Sequence, residues 1–128
     1  MHKQATRKVL AVLDDLFFTV KIKDAAARAG LDVEFLKSAD AVLERAKDNP
    51  TVIVVDLNTT SVQPLELIQR LKAAADLRQI SVIGYVSHVQ GELKQKAHES
   101  GCDMVLARSA FSQNLPQIFK RHAGLLAG

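Results

Sequence analysis

Three aspartates, one asparagine and one arginine stand where this sequence could do chemistry. Asp14 and Asp15 follow the apolar run KVLAVL (8–13). Asp56 closes the run TVIVVD (51–56), with Asn58 two residues on. A carboxylate at the end of a buried strand costs free energy unless something uses or pairs it. Asp56 is therefore a reactive group, a metal ligand, or one half of a structural ion pair. Ser87 and His88 follow ISVIGYV (80–86), and Arg108 and Ser109 follow DMVLA (103–107). A fold that lays these runs side by side in parallel brings three carboxylates and one basic residue to a single edge.

The segments between the runs have the pattern such a fold requires. LFFTVKIKDAAARAG (16–30) has helical spacing, with Phe17, Val20 and Ala27 on an apolar stripe and Gly30 where a C-cap glycine belongs. DVEFL (32–36) alternates as a half-buried strand. SADAVLERAKDNP (38–50) opens on a Ser N-cap candidate and closes on Asn-Pro. PLELIQRLKAAAD (64–76) has proline in its first turn, where it is tolerated. GELKQKAHESG (91–101) is a helix closed by Gly101. FSQNLPQIFKRHAGLL (111–126) is a last helix, with Pro116 in its early turns if Ser112 or Asn114 caps it. Gly84, inside the fourth strand, marks a close approach or a bulge. Five strand–helix pairs with short connections predict an α/β, doubly wound parallel sheet covered on both faces by right-handed crossovers. In that architecture ligands bind outside the carboxyl ends of the strands, where strand order reverses.

Bulk composition narrows the classes. A chain of 128 residues suits one domain, with a core over about 7–123. At 48% apolar and 24% charged, the composition is globular and not disordered. No apolar run approaches the ~18 residues of a membrane span, and no signal-peptide block follows the basic start. The single cysteine, Cys102, excludes an internal disulfide and fits a reducing, cytoplasmic setting. The net charge of +3 is mild, there is no Trp and only one Tyr, so nucleic acid is not an expected partner. GxGxxG and GxxxxGK[ST] are absent, which removes the usual phosphate cradles. His2, His88, His98 and His122 lack metal-ligand spacing.

With these residues in place, the sequence resembles the receiver domain of bacterial two-component response regulators over nearly its whole length. The acidic pair Asp14–Asp15, the run VIVVDLN, the helix PLELIQRLK and the turn ESGCDMVLARS carry the resemblance. It implies a flavodoxin-like sheet of order 2-1-3-4-5; the sequence shows no output domain, so a stand-alone domain is expected. The resemblance also implies that Asp56 accepts a phosphoryl group from a histidine kinase. Mg2+ would then be held by Asp14, Asp15, Asp56 and the backbone carbonyl of Asn58, and spacing to Gly30 leaves open which of Asp14 and Asp15 is the direct ligand. No enzymatic activity beyond self-phosphorylation and dephosphorylation is expected.

The family's other functional positions are altered. Arg108 stands for its lysine, and Ser109 for the proline that follows. Val86 occupies the Ser/Thr switch position, with Ser87 beside it as an alternative hydroxyl, and Val105 the aromatic position. A guanidinium can clamp a carboxylate with two hydrogen bonds, so Arg108 either meets a phosphoryl group or locks Asp56. The alternative reading is a phosphorylation-independent pseudo-receiver that works as a protein-interaction module. Its contact surface would use Phe111, Leu115, Ile118 and Phe119, although most of that stripe must face the core. Expected partners are a histidine kinase or another signalling protein, or a second copy joined through the last helices and strand five.

Overall fold

A computed structural model describes residues 6–87 and 91–124. Strands β1 (Lys8–Val12), β2 (Asp32–Phe35), β3 (Val52–Asp56), β4 (Ser81–Val86) and β5 (Met104–Ala107) form one parallel sheet in the order β2-β1-β3-β4-β5. Helices α1 (Leu16–Arg28), α2 (Ala39–Ala46), α3 (Pro64–Ala73), α4 (Gly91–Glu99) and α5 (Arg108–His122) connect and follow them. The expected doubly wound architecture and strand order are both present.

Strand alternation divides the interior into two cores on one sheet. Val9, Ala11, Val52, Val54, Ile83 and Tyr85 face α1 and α5, where Phe18, Ile22, Phe111 and Phe119 meet them. Leu10, Val12, Ile53, Val55, Val82 and Val86 face the other way, against Val42 of α2, Leu67, Ile68 and Leu71 of α3, and Ala97 of α4. Strands covered on both sides read as unbroken apolar runs, as β1, β3 and β4 do.

Two helices differ from their sequence reading. In α1 the buried residues are Phe18, Ile22, Ala25 and Ala26, whereas Phe17, Val20 and Ala27 are exposed. Both stripes have helical spacing, and with apolar residues nearly all round the first turn the sequence does not set the phase. Asp15 does: as N-cap it starts the helix at Leu16 and turns Phe18 inward. Helix α5 starts at Arg108, directly from β5, with no side-chain cap from Ser112 or Asn114. Pro116 therefore sits inside the helix, where it removes the N–H that would reach the Ser112 carbonyl. Helix α3 ends at Ala73 rather than 76.

Other local expectations hold. Ser38 Oγ accepts from the Ala41 N–H at 3.1 Å and caps α2. Gly30 has φ 74°, the left-handed conformation that ends α1. Gly84 keeps regular pairing opposite Val55, so it is not a bulge. A Cβ there would come within 2.9 Å of Leu57 Cδ1, so the close approach is to the Leu57 side chain.

Candidate functional site

The switch point lies between β1 and β3, because β1 is flanked by β2 on one side and β3 on the other. Pairing of Val12 with Val55 carries the chain after β1 past the end of β3, so Asp14 and Asp15 arrive beside Asp56. On its other side Asp56 is the partner of Tyr85 in β4. The loop after β3 folds back: the Asn58 N–H donates to Asp56 Oδ1 at 2.9 Å. Asn58 Oδ1 in turn accepts from the Ser87 N–H at 2.8 Å, which ties that loop to the end of β4. His88 lies outside the described residues.

Each carboxylate has its own environment. Asp14 is exposed and accepts from the Thr59 hydroxyl at 2.6 Å. That hydrogen bond, more than the nearby charge of Lys37, holds its carboxyl below the usual range. Asp15 uses one oxygen as N-cap, accepting from the N–H groups of Phe17 at 2.8 Å and Phe18 at 3.4 Å. Its other oxygen forms the ion pair with Arg108. Arg108 thus pairs with Asp15 and not with Asp56. Its guanidinium carbon also lies 4.4 Å from the centroid of the Phe18 ring, a cation–π contact. Asp56 is half-buried, and burial pushes its carboxyl above the usual range. The Asn58 N–H and Arg108 oppose that rise, whereas the charges of Asp15 and Asp14 add to it.

The site residues expected from the sequence, Asp14, Asp15, Asp56, Asn58, Ser87 and Arg108, thus lie at one edge of the sheet, in three groups: Asp14 with Thr59, Asp15 with Arg108, and Asp56 with Asn58 and Ser87. Three further residues join them: Thr59, Phe18 and Tyr85. Thr59 gave no signal beyond a polar loop position. Phe18 was hidden by the phase of α1, and Tyr85 by its place in an apolar strand. Val86 and Val105 are buried on the α3–α4 side, with neither a hydroxyl nor a ring to offer the pocket. Ser87 is exposed at the strand end.

Phe111, Leu115, Ile118 and Phe119 are core residues, all facing α1 and the sheet. The apolar surface expected of them is not available, because the interior phase of α5 consumes it. Among the described residues the exposed large apolar side chains are instead Leu16, Phe17 and Val20 on α1, which follows Asp15. Among the described residues no helix is long and apolar enough to cross a membrane.

No protein-family model and no curated protein matches the sequence. Solved structures do match the fold. A putative response regulator from Chloroflexus aurantiacus superposes with a TM-score of 0.78 at 19% identity, covering 91% of this chain and 97% of that one. Chemotaxis response regulator CheY4 of Vibrio cholerae gives 0.75 at 21% identity, over 90% and 97%. The receiver domain of a Pseudomonas aeruginosa sensor histidine kinase, with magnesium coordinated in its active site cleft, gives 0.76 at 18%, over 94% and 99%. With its strand order, its five helices and this coverage, the chain has the CheY-like fold of response regulator receiver domains.

Proposed function

We propose that the chain is a receiver of two-component signalling in which Asp56 accepts a phosphoryl group. One observation carries this reading: Asp56 is held at the switch point by the Asn58 N–H while the only nearby guanidinium described, Arg108, is spent on Asp15. Among the described residues the Asp56 carboxylate has no ion-pair partner, and an oxygen can attack phosphorus in line. The new O–P bond forms as the donor's bond to phosphorus breaks, whether that donor is a phosphohistidine or a small acyl phosphate. Transfer spreads charge over the phosphoryl oxygens.

A divalent cation fits the donor set, though not in the full form expected from the sequence. Both Asp15 oxygens are already used, by α1 and by Arg108. Among the described residues no three His, Cys, Asp or Glu side chains are grouped to hold a metal. The fitting ligands are Asp14, Asp56 and the Asn58 backbone carbonyl, all hard oxygens, with water completing the shell. Mg2+, when bound, supplies positive charge against the transferring phosphoryl oxygens. Asp14 is kept ionised by Thr59 for that role, and Arg108 keeps Asp15 from adding a further uncompensated charge.

The partner in this reading is a histidine kinase or another signalling protein. Leu16, Phe17 and Val20 are exposed on α1, in the turns that follow Asp15, and offer it apolar area. Self-association through β5 and the last helices would have to use the half-buried Met104 and Leu106, since the α5 stripe is core. Incubation with a small acyl phosphate and Mg2+, followed by Phos-tag electrophoresis, tests the reading. A retarded band absent from Asp56→Ala is expected; no such band rejects it.

The pseudo-receiver is the second reading, favoured by the buried valines at 86 and 105. Partner binding unchanged by Asp56→Asn supports it, and loss of binding in that variant counts against it.

A further inference from the structure

Tyr85 is 2% exposed, and its phenol oxygen has no hydrogen-bond partner among the described residues. Folded proteins seldom leave a buried hydroxyl unsatisfied, because it has lost water and gained nothing in return. The ring cannot turn away to find a partner. It stacks on Phe111 with centroids 4.7 Å apart and planes within 10°, and on Phe18 at 5.1 Å within 19°. The phenol is thus fixed in place.

That place is beside the proposed phosphoacceptor. Tyr85 is the strand partner of Asp56. Both lie on the sheet face toward α1 and α5: Val54, two residues before Asp56, packs in the same core as Tyr85. Burial, and then the charge of Asp56, keep the phenol protonated and so a donor. The neighbouring residue, Val86, points to the other face and carries no hydroxyl.

We propose that Tyr85 O–H donates a hydrogen bond to an oxygen of the phosphoryl group on Asp56, supplying from the α1–α5 face the hydroxyl that position 86 lacks. In the unphosphorylated protein the donor is buried with no acceptor among the described residues; the phosphoryl group brings one. The inference rests on the phosphoacceptor reading of Asp56.

Tyr85 is the only tyrosine and the chain has no tryptophan, so near-ultraviolet tyrosine absorption and emission report on this residue alone. Beryllofluoride, standing in for the phosphoryl group, is titrated with Mg2+ into wild type, Asp56→Asn and Tyr85→Phe, with adduct followed by fluorine NMR. The expected result is a red shift of the tyrosine band that tracks adduct formation in wild type and is absent from Asp56→Asn. Tyr85→Phe should bind beryllofluoride about tenfold more weakly, as loss of a hydrogen bond to a charged group implies. It should also melt no lower than wild type without ligand, since the stacked ring is retained and an unsatisfied hydroxyl is removed. Equal affinity in Tyr85→Phe overturns the proposal even if the band shifts, because the ring then senses only a nearby charge. An adduct with an unchanged tyrosine spectrum also overturns it and leaves Asp56 as acceptor. No adduct in wild type, together with no retarded Phos-tag band, removes both.

Discussion

Asp56 is worse off ionised in the fold than in the unfolded chain, since burial raises its pKa above the ordinary 3.8. The unfolded state therefore binds fewer protons than the folded one near that pKa, and stability falls as pH rises through it. Asp56→Asn should raise Tm at pH 7 by roughly 3 °C. The gain should fade as pH falls and be lost below 3.8, where the wild-type carboxyl becomes protonated in both states; a pH series of thermal melts measures it. Arg108 is expected to act in the opposite sense. Arg108→Met leaves Asp15 facing Asp14 and Asp56 and should cost about 1 kcal/mol by urea titration at low salt, the modest size reflecting a partly exposed pair. At 1 M salt the loss should shrink, since screening acts over about 3 Å there. At this scale the sequence identified the acidic residues and the arginine but not their pairing. Whether Arg108 meets Asp56 or Asp15 depends on where α5 begins, and α5 starts after Ala107 with no side-chain cap to announce it.

Helix phase and strand spacing decide what the elements present. In α1, Phe17 and Phe18 are adjacent, equally apolar and opposite in fate. Phe18→Ala should cost about 3–5 kcal/mol, because it empties a site between Tyr85, Phe111 and Arg108. Phe17→Ser should stay within about 0.5 kcal/mol, since Phe17 is exposed. Chemical denaturation of both variants checks the phase of α1 directly. Gly84→Ala should cost about 1–3 kcal/mol by overpacking against Leu57. Combining it with Leu57→Ala should recover part of that loss, a coupling read from a double-mutant cycle. Gly84 was visible in the sequence as an anomaly in a strand; that its neighbour is Leu57 required the loop after β3 to be folded back over β4.

The whole molecule is one sheet carrying two cores, so neither core can melt while the sheet stays covered. Leu71→Ala on the α3 face and Phe119→Ala on the α5 face should each lower a single unfolding transition. Far-ultraviolet circular dichroism and tyrosine fluorescence should report the same midpoint in both variants, although Tyr85 sits in only one core. Separate midpoints would mean that the two faces unfold independently.

The sequence by itself determined the architecture. Apolar runs of strand length alternating with helical patterns admit few topologies once crossovers must be right-handed, and a residue at the end of a run is carried to the sheet edge whatever its neighbours do. That placed Asp14, Asp15, Asp56, Asn58, Ser87 and Arg108 at one address. Only the tertiary structure decided the contacts among them: Thr59 on Asp14, Arg108 on Asp15, Asn58 on Asp56, and Tyr85 buried beside Asp56 with no partner for its hydroxyl among the described residues. Those contacts turn on distances of a few ångströms between segments far apart in the chain. Periodicity fixes which face a side chain takes only when polar residues mark the other face, and residues 16–18 of α1 and 82–86 of β4 lack that mark.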